Sequence, residues 1–221
     1  MFKEDSLLQR FFYQWGQLIA LNLLWIATSL LLVTIGASTT ALYHCCLKWQ
    51  KDKDVAVLRT YWKAFRENFS QATLGWLSLS AITLLLWLEQ RFLRSMSGTA
   101  ALVFGYAQWM VVLSLLILTT YLFPVIAAFR NRLSTLLGHS FYFFFKRPHI
   151  GLVNLLLIIL PIWVTLNDRA FFGIYLFIWL LCGFSGLAYL QSCLYWRLFR
   201  PHLGGSPKTV STVHEPDQYV F

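Results

Sequence analysis

The chain carries four cysteines and five histidines, the side chains that most readily hold a metal or build a nucleophile. Their spacing does neither. Cys45 and Cys46 are adjacent, so they cannot clamp one ion as a C-x-x-C pair does, and Cys182 and Cys193 stand alone. All four read as small apolar residues at helix surfaces. His44, His139 and His149 fall at no ligand spacing, and His202 and His214 lie near the carboxyl end. The chain has no G-x-x-x-x-G-K-[ST] phosphate loop and no H-E-x-x-H zinc helix. Gly183-Phe184-Ser185-Gly186 is one residue short of a G-x-S-x-G elbow and sits inside an apolar run. The expectation is therefore a non-enzymatic protein with no catalytic residue, no cofactor and no metal.

The elements around these residues explain the lack of chemistry. Of 221 residues, 58% are hydrophobic and 12% charged, against about 25% charged in a soluble domain. Charge-free windows run 11–47, 68–88, 95–129, 148–167 and 170–196, and a spanning helix needs roughly 20 residues. The windows predict an all-α, polytopic membrane protein with five transmembrane helices near 17–36, 69–89, 101–124, 150–167 and 171–195. Residues 1–198 form one transmembrane domain that opens on an amphipathic segment, 2–16; residues 199–221 form a flexible cytoplasmic tail. No charged residue lies near the centre of a span, where a coupled transporter or proton pump would need one. Glu89 and Asp168 sit at span ends. The polar residues within the spans, among them Asn22, Thr28, Ser78, Asn154, Ser185 and Gln191, are of the kind that hydrogen-bond one helix to another.

Lysine and arginine fall unevenly between the spans. The segments at 37–68 and 125–149 and the tail carry thirteen; the amino terminus, the 90s connection and the 167–170 turn carry five. Positive charge stays in the cytoplasm, which predicts the amino terminus outside, the carboxyl terminus inside, and cytoplasmic loops at 37–68 and 125–149. The net charge of +9 is thus spent on orientation and on anionic headgroups. No basic–aromatic nucleic-acid module is present, and nucleic acid is not an expected partner.

At the junctions the sequence is more specific. Thr34, Gly36 and Ser38 stand where the first span meets the cytoplasmic face; Gly36–Thr40 reads either as a helix exit, with Gly36 permitting the bend, or as a break at membrane depth that lines a ligand cavity. Phe123 and Pro124 read as the exit of the third span. In "VAVLRTYWKAFRENFSQ", Val55, Leu58, Trp62, Phe65 and Phe69 form one apolar stripe flanked by Arg59, Lys63 and Arg66. Such a helix lies in the headgroup layer or offers its stripe to a partner. A second amphipathic helix follows at 130–147, with Leu133, Leu137, Phe141 and Phe144 on one face. A shift of 76 positions lays Phe65, Gly75 and Trp87 on Phe141, Gly151 and Trp163, and a gap of about ten residues lays Ala41 on Ala127, which suggests a parallel internal repeat.

The motifs "TIGASTTALYH", "YWKAFRENFSQA" and "YLFPVIAAFRN" together resemble the YesL-like family of small bacterial integral membrane proteins of unknown function. The resembling residues are Thr34, Ile35, Gly36, Ala41, Leu42 and Tyr43, then Asn68 and Phe69, then Phe123, Pro124 and Ala127, in order over the chain to about residue 198. Leu32 and Ala37 stand where the family often has proline, which implies a softer bend. Members of the family are often encoded beside carbohydrate importers of the ATP-binding-cassette type. The resemblance therefore implies a multi-pass protein of the bacterial plasma membrane. Its implied role is that of an accessory subunit of an oligosaccharide importer, in contact with membrane lipid, permease subunits and a sugar-binding protein. Copies of itself are a further admissible partner. The alternative expectation is a stand-alone small transporter or channel lined by the polar span residues.

Overall fold

In the computed structural model, which describes residues 6–52, 55–93 and 98–203, the chain is all helical. Helix α1 (Ser6–Ser29) is followed by a 3-10 turn (Leu32–Thr34) and α2 (Ile35–Lys51). Helices α3 (Val57–Leu93), α4 (Thr99–Ala128), α5 (Leu133–Lys146) and α6 (Pro148–Asn167) come next. The last pair, α7 (Phe172–Ile178) and α8 (Phe184–Leu203), is joined without a break by a π-helical turn, Trp179–Gly183. Among the described residues, four stretches are long and apolar enough to cross a membrane: Val57–Arg91, Leu102–Ala128, Pro148–Asn167 and Phe172–His202. They cover the expected spans at 69–89, 101–124, 150–167 and 171–195 to within one residue.

The first expected span, 17–36, is not one helix. α1 stops at Ser29, the chain reverses at Leu30–Thr34, and α2 runs back beside α1. Trp25 Nε1 donates to Thr39 Oγ1 at 3.3 Å across this hairpin. Thr34 Oγ1 donates to the carbonyls of Thr28 and Leu31, holding the turn. The apex residues Leu30, Leu31, Leu32 and Val33 are exposed and wholly apolar. The hairpin also sets the directions of α1 and α2 against α8. Leu18 and Asn22 lie against Ser185 and Leu180, whereas Tyr43 and Gln50 lie against Gln191 and Cys193. α1 thus runs against α8 and α2 runs with it. The start of α1 and the end of α8 therefore share one end of the bundle.

The expected loop at 37–68 is likewise helix. α2 is the most deeply buried element: Gly36–Ser38, Thr40–Leu47 and Trp49 are all buried, packed by α3, α4 and α8. It is also one of the less apolar helices. In lipid that is the expected division, because the tails are as apolar as leucine and what draws helices together is close packing of small residues and interhelical hydrogen bonds. Gly36 is not a bend but part of the first helical turn of α2. A Cβ there would stand 2.3 Å from the carbonyl oxygen of Ala72 and 2.7 Å from Trp76 Cβ, so its lack of a side chain sets the α2–α3 distance.

Two more expectations shift. Pro124 does not end the third span: α4 continues through it to Ala128, and Phe123 and Pro124 are buried. The amphipathic stretch 55–69 is not a separate surface helix either; from Val57 onward it is the first half of α3, continuous with the span. α5 is separate, inside the expected 125–149 loop, with Leu136, Ser140 and Phe143 buried. The two copies of the suggested repeat are thus built differently, one helix (α3) against two (α5 and α6). Of the expected amphipathic segment 2–16, residues from Ser6 belong to α1. Of the expected tail, 199–203 belong to α8; 204–221, like 1–5, lie outside the described residues.

Candidate functional site

The basic end of the bundle holds the exposed stripe of α3. Two adjacent stripes run along the first half of that helix. Val57, Tyr61, Ala64, Asn68 and Ala72 face the core and are buried. Leu58 (67% exposed), Trp62 (44%) and Phe69 (40%) face out, and Phe65 is half-buried between them. Val55, expected on the outer stripe, is buried. The inner stripe went unread in the sequence because alanine, tyrosine and asparagine give it little hydrophobic signal; Ala64, Asn68 and Ala72 at helical spacing were the available clue.

The outer stripe is ordered by its own contacts. The Trp62 and Phe65 rings stack at 5.5 Å and 7° between planes, and Phe65 meets Phe69 edge-on at 5.5 Å. The Arg66 guanidinium lies 5.2 Å from the Trp62 ring centroid, within cation–π range. Lys63 Nζ is 3.9 Å from Glu67 Oε1, and Arg130 donates to Glu67 Oε2 at 3.0 Å. Gln71 Nε2 donates to the Asn131 carbonyl at 2.6 Å. Glu67 and Gln71 thereby fix the α4–α5 turn to α3. Arg59, Lys63 and Arg66 all remain exposed, giving a positive aromatic face.

Beside it lies a groove of about 620 Å³ between α1 and the start of α3, with Tyr13, Gln17 and Leu24 on one wall and Leu58, Arg59 and Trp62 on the other. Gln17 Oε1 is buried and has no hydrogen-bond partner among the described residues. The α1 wall escaped sequence reading, since only the hairpin brings residue 13 beside residue 59. Thr34, Gly36 and Ser38 are not part of this face: Thr34 closes the hairpin turn, Ser38 Oγ donates to Thr34 O at 3.0 Å, and Gly36 packs on α3. Phe123, 6.4 Å from Trp76 centroid to centroid, is core.

Many of the polar span residues bond within the protein. Ser78, Thr83, Ser114, Thr119 and Thr120 donate to carbonyls four residues back on their own helices, the usual refuge of a hydroxyl in lipid. Asn22 bridges α1 to the π-helical turn. Its Nδ2 donates to Trp179 O (3.0 Å) and Leu180 O (2.7 Å), and its Oδ1 accepts from Ser185 N–H at 3.0 Å. Gln191 accepts from Tyr43 Oη and donates to Asn154 O at 3.1 Å. The Asn154 side-chain amide is buried with neither atom partnered among the described residues. His44 Nδ1 lies 3.1 Å from Ala127 O. Cys45 and Cys46 are buried in α2, away from the exposed face, and all four thiols are free. Among the described residues, no three of His, Cys, Asp and Glu gather as a metal site would require.

Residues 18–89 match the family described as a protein of unknown function, DUF624, consistent over that stretch with the YesL-like resemblance. The match takes in α1 from Leu18, all of α2 and most of α3. Neither a curated protein nor a solved structure matches the chain.

Proposed function

We propose that the protein is a non-enzymatic accessory membrane subunit of a bacterial carbohydrate importer of the ATP-binding-cassette type, resident in the plasma membrane. The observation that carries the docking part is the preformed Trp62–Phe65–Arg66 face beside the α1–α3 groove. Aromatic and arginine side chains held rigid before contact are what interface anchors are made of. The carbohydrate importer itself is drawn from the YesL-like resemblance.

The geometry also supports a revised topology. With the start of α1 at the same end as the end of α8, twelve lysines and arginines among the described residues fall at that end, against Arg91 and Arg169 at the other. By the positive-inside tendency, this split puts both termini and the Trp62 face in the cytoplasm. The four long helices then cross the membrane, and the α1–α2 hairpin enters from the cytoplasmic side without adding a fifth crossing.

The test is retention from native membranes in mild detergent, with the tagged chain as bait and co-purifying proteins identified by mass spectrometry. Permease subunits and a sugar-binding protein in stoichiometric yield are expected, and Trp62→Ala with Phe65→Asp should lose them together with uptake of the sugar. Recovery of the chain alone, or an undisturbed complex in the double variant, overturns the reading. The second reading, a stand-alone transporter, is favoured by the unpartnered Asn154 amide; sugar flux into liposomes holding only this chain would select it.

A further inference from the structure

Two adjoining cavities, of about 600 and 490 Å³, share Trp25, Ile162, Trp179 and Phe184. They lie between the α1–α2 hairpin, α6 and α7–α8. The outer one reaches Leu30 and Leu176, and the inner one reaches Trp76, Tyr43 and Gln191. The walls from α3, α6 and α7–α8 all fall within the stretches able to cross a membrane, so the medium at the mouth is hydrocarbon. From Leu176 to Gln191 the groove follows fifteen residues of helix, about 20 Å at the helical rise. One leaflet's acyl chains cover about 15 Å of a bilayer core.

The lining is chemically dry although it is rich in polar residue types. Trp25 Nε1 donates to Thr39 Oγ1, Trp76 Nε1 to Leu32 O and Trp179 Nε1 to Thr165 Oγ1. Tyr43 and Gln191 bond to each other, and Gln191 also to Asn154 O. Every indole N–H is thus turned to a protein acceptor, leaving ring carbon to the groove. A sugar would find the indole donors of these walls already engaged; a hydrocarbon chain loses nothing. At the outer end the chemistry changes. Ser29 lines the outer cavity, its Oγ buried and without a hydrogen-bond partner among the described residues, and Arg169, exposed in the α6–α7 turn, follows two residues after the end of α6 at Asn167, itself about 8 Å along the helix from Ile162.

We infer that this groove is a binding site for one phospholipid of the leaflet opposite the basic end. Its acyl chain seats against Trp25, Trp76 and Trp179, its ester lies at Ser29, and its phosphate lies near Arg169. The source is the bilayer itself.

Native mass spectrometry of the full chain, extracted from vesicles of phosphatidylethanolamine and phosphatidylglycerol, tests this. One phospholipid should survive detergent exchange on the wild type and on Ile159→Phe, whose site is exposed on α6 away from the groove. Ala188→Phe and Ile162→Trp fill the groove and should cut the bound fraction at least tenfold. Arg169→Gln, which leaves the core untouched, should lower it severalfold and remove any preference for phosphatidylglycerol. Equal retention in the filled or Arg169→Gln variants, a bound sugar instead of a phospholipid, or no retained phospholipid on the wild type overturns the site. The importer proposal does not depend on this result, since its face lies at the other end of the molecule.

Discussion

Tyr195 Oη donates to the carbonyl oxygen of Thr120 at 2.7 Å, and Thr120 stands four residues before Pro124 in α4. Proline has no N–H, so that carbonyl has lost its helical partner. In a bundle facing lipid, water cannot replace it. α8 supplies the missing donor, and with it a fixed register between α4 and α8. Tyr195 also meets Tyr121 edge-on at 5.4 Å, and Tyr43 at 6.0 Å, which ties α2 into the same junction.

Tyr195→Phe should therefore destabilise the protein by about 1–3 kcal/mol, the cost of a buried acceptor left unpaired. In a Pro124→Ala background the Thr120 carbonyl regains an N–H, and the same substitution should cost well under about 1 kcal/mol. Thermal unfolding in one detergent, run as a double-mutant cycle, reads the difference. Equal costs in both backgrounds would detach the tyrosine from the proline.

Gly36→Ala should be severe. The added methyl meets the backbone of Ala72, which can yield only by moving α3 away from α2, and overpacking of this kind costs about 1–3 kcal/mol or more. Gly138→Ala is the control: nothing lies within 4 Å of its Cβ position, and alanine in an exposed helix gains about 0.5–1 kcal/mol. Opposite shifts in melting temperature are expected.

Asn22→Leu removes three interhelical hydrogen bonds at once, two to the π-helical turn and one to Ser185 at the start of α8. Interhelical bonds in membranes average about 0.6 kcal/mol each, so a loss of about 2 kcal/mol is expected. Without the Asn22 amide on the Trp179 and Leu180 carbonyls, the π turn loses that support. The Trp179 region should then exchange amide hydrogen faster than in the wild type, while the α4–α5 end stays unchanged.

Reporter domains fused before α1 and after α8 should report the same side of the membrane. A reporter active only outside when fused before α1, together with one active only inside after α8, would contradict the antiparallel pairing of α1 with α2.

Residue sequence alone determined the solvent of this protein and most of its long helices. Runs free of charge can only be buried or in lipid, and four of the five that were read are spanning-length helices in the structure. The amphipathic residues of α5 and the exposed ring stripe of α3 were legible for the same reason: there the medium changes from lipid to water, and helical periodicity records the change. The α1–α2 hairpin, the burial of α2 and the continuation of α4 through Pro124 were decided only by tertiary contacts. Inside the bilayer both environments of a helix, lipid and neighbouring helices, are apolar, so hydropathy does not say which side faces in. Gly36 reads as a bend until Ala72 is seen 2.3 Å from where its Cβ would be. Pro124 reads as a stop until Tyr195 takes over the bond it breaks.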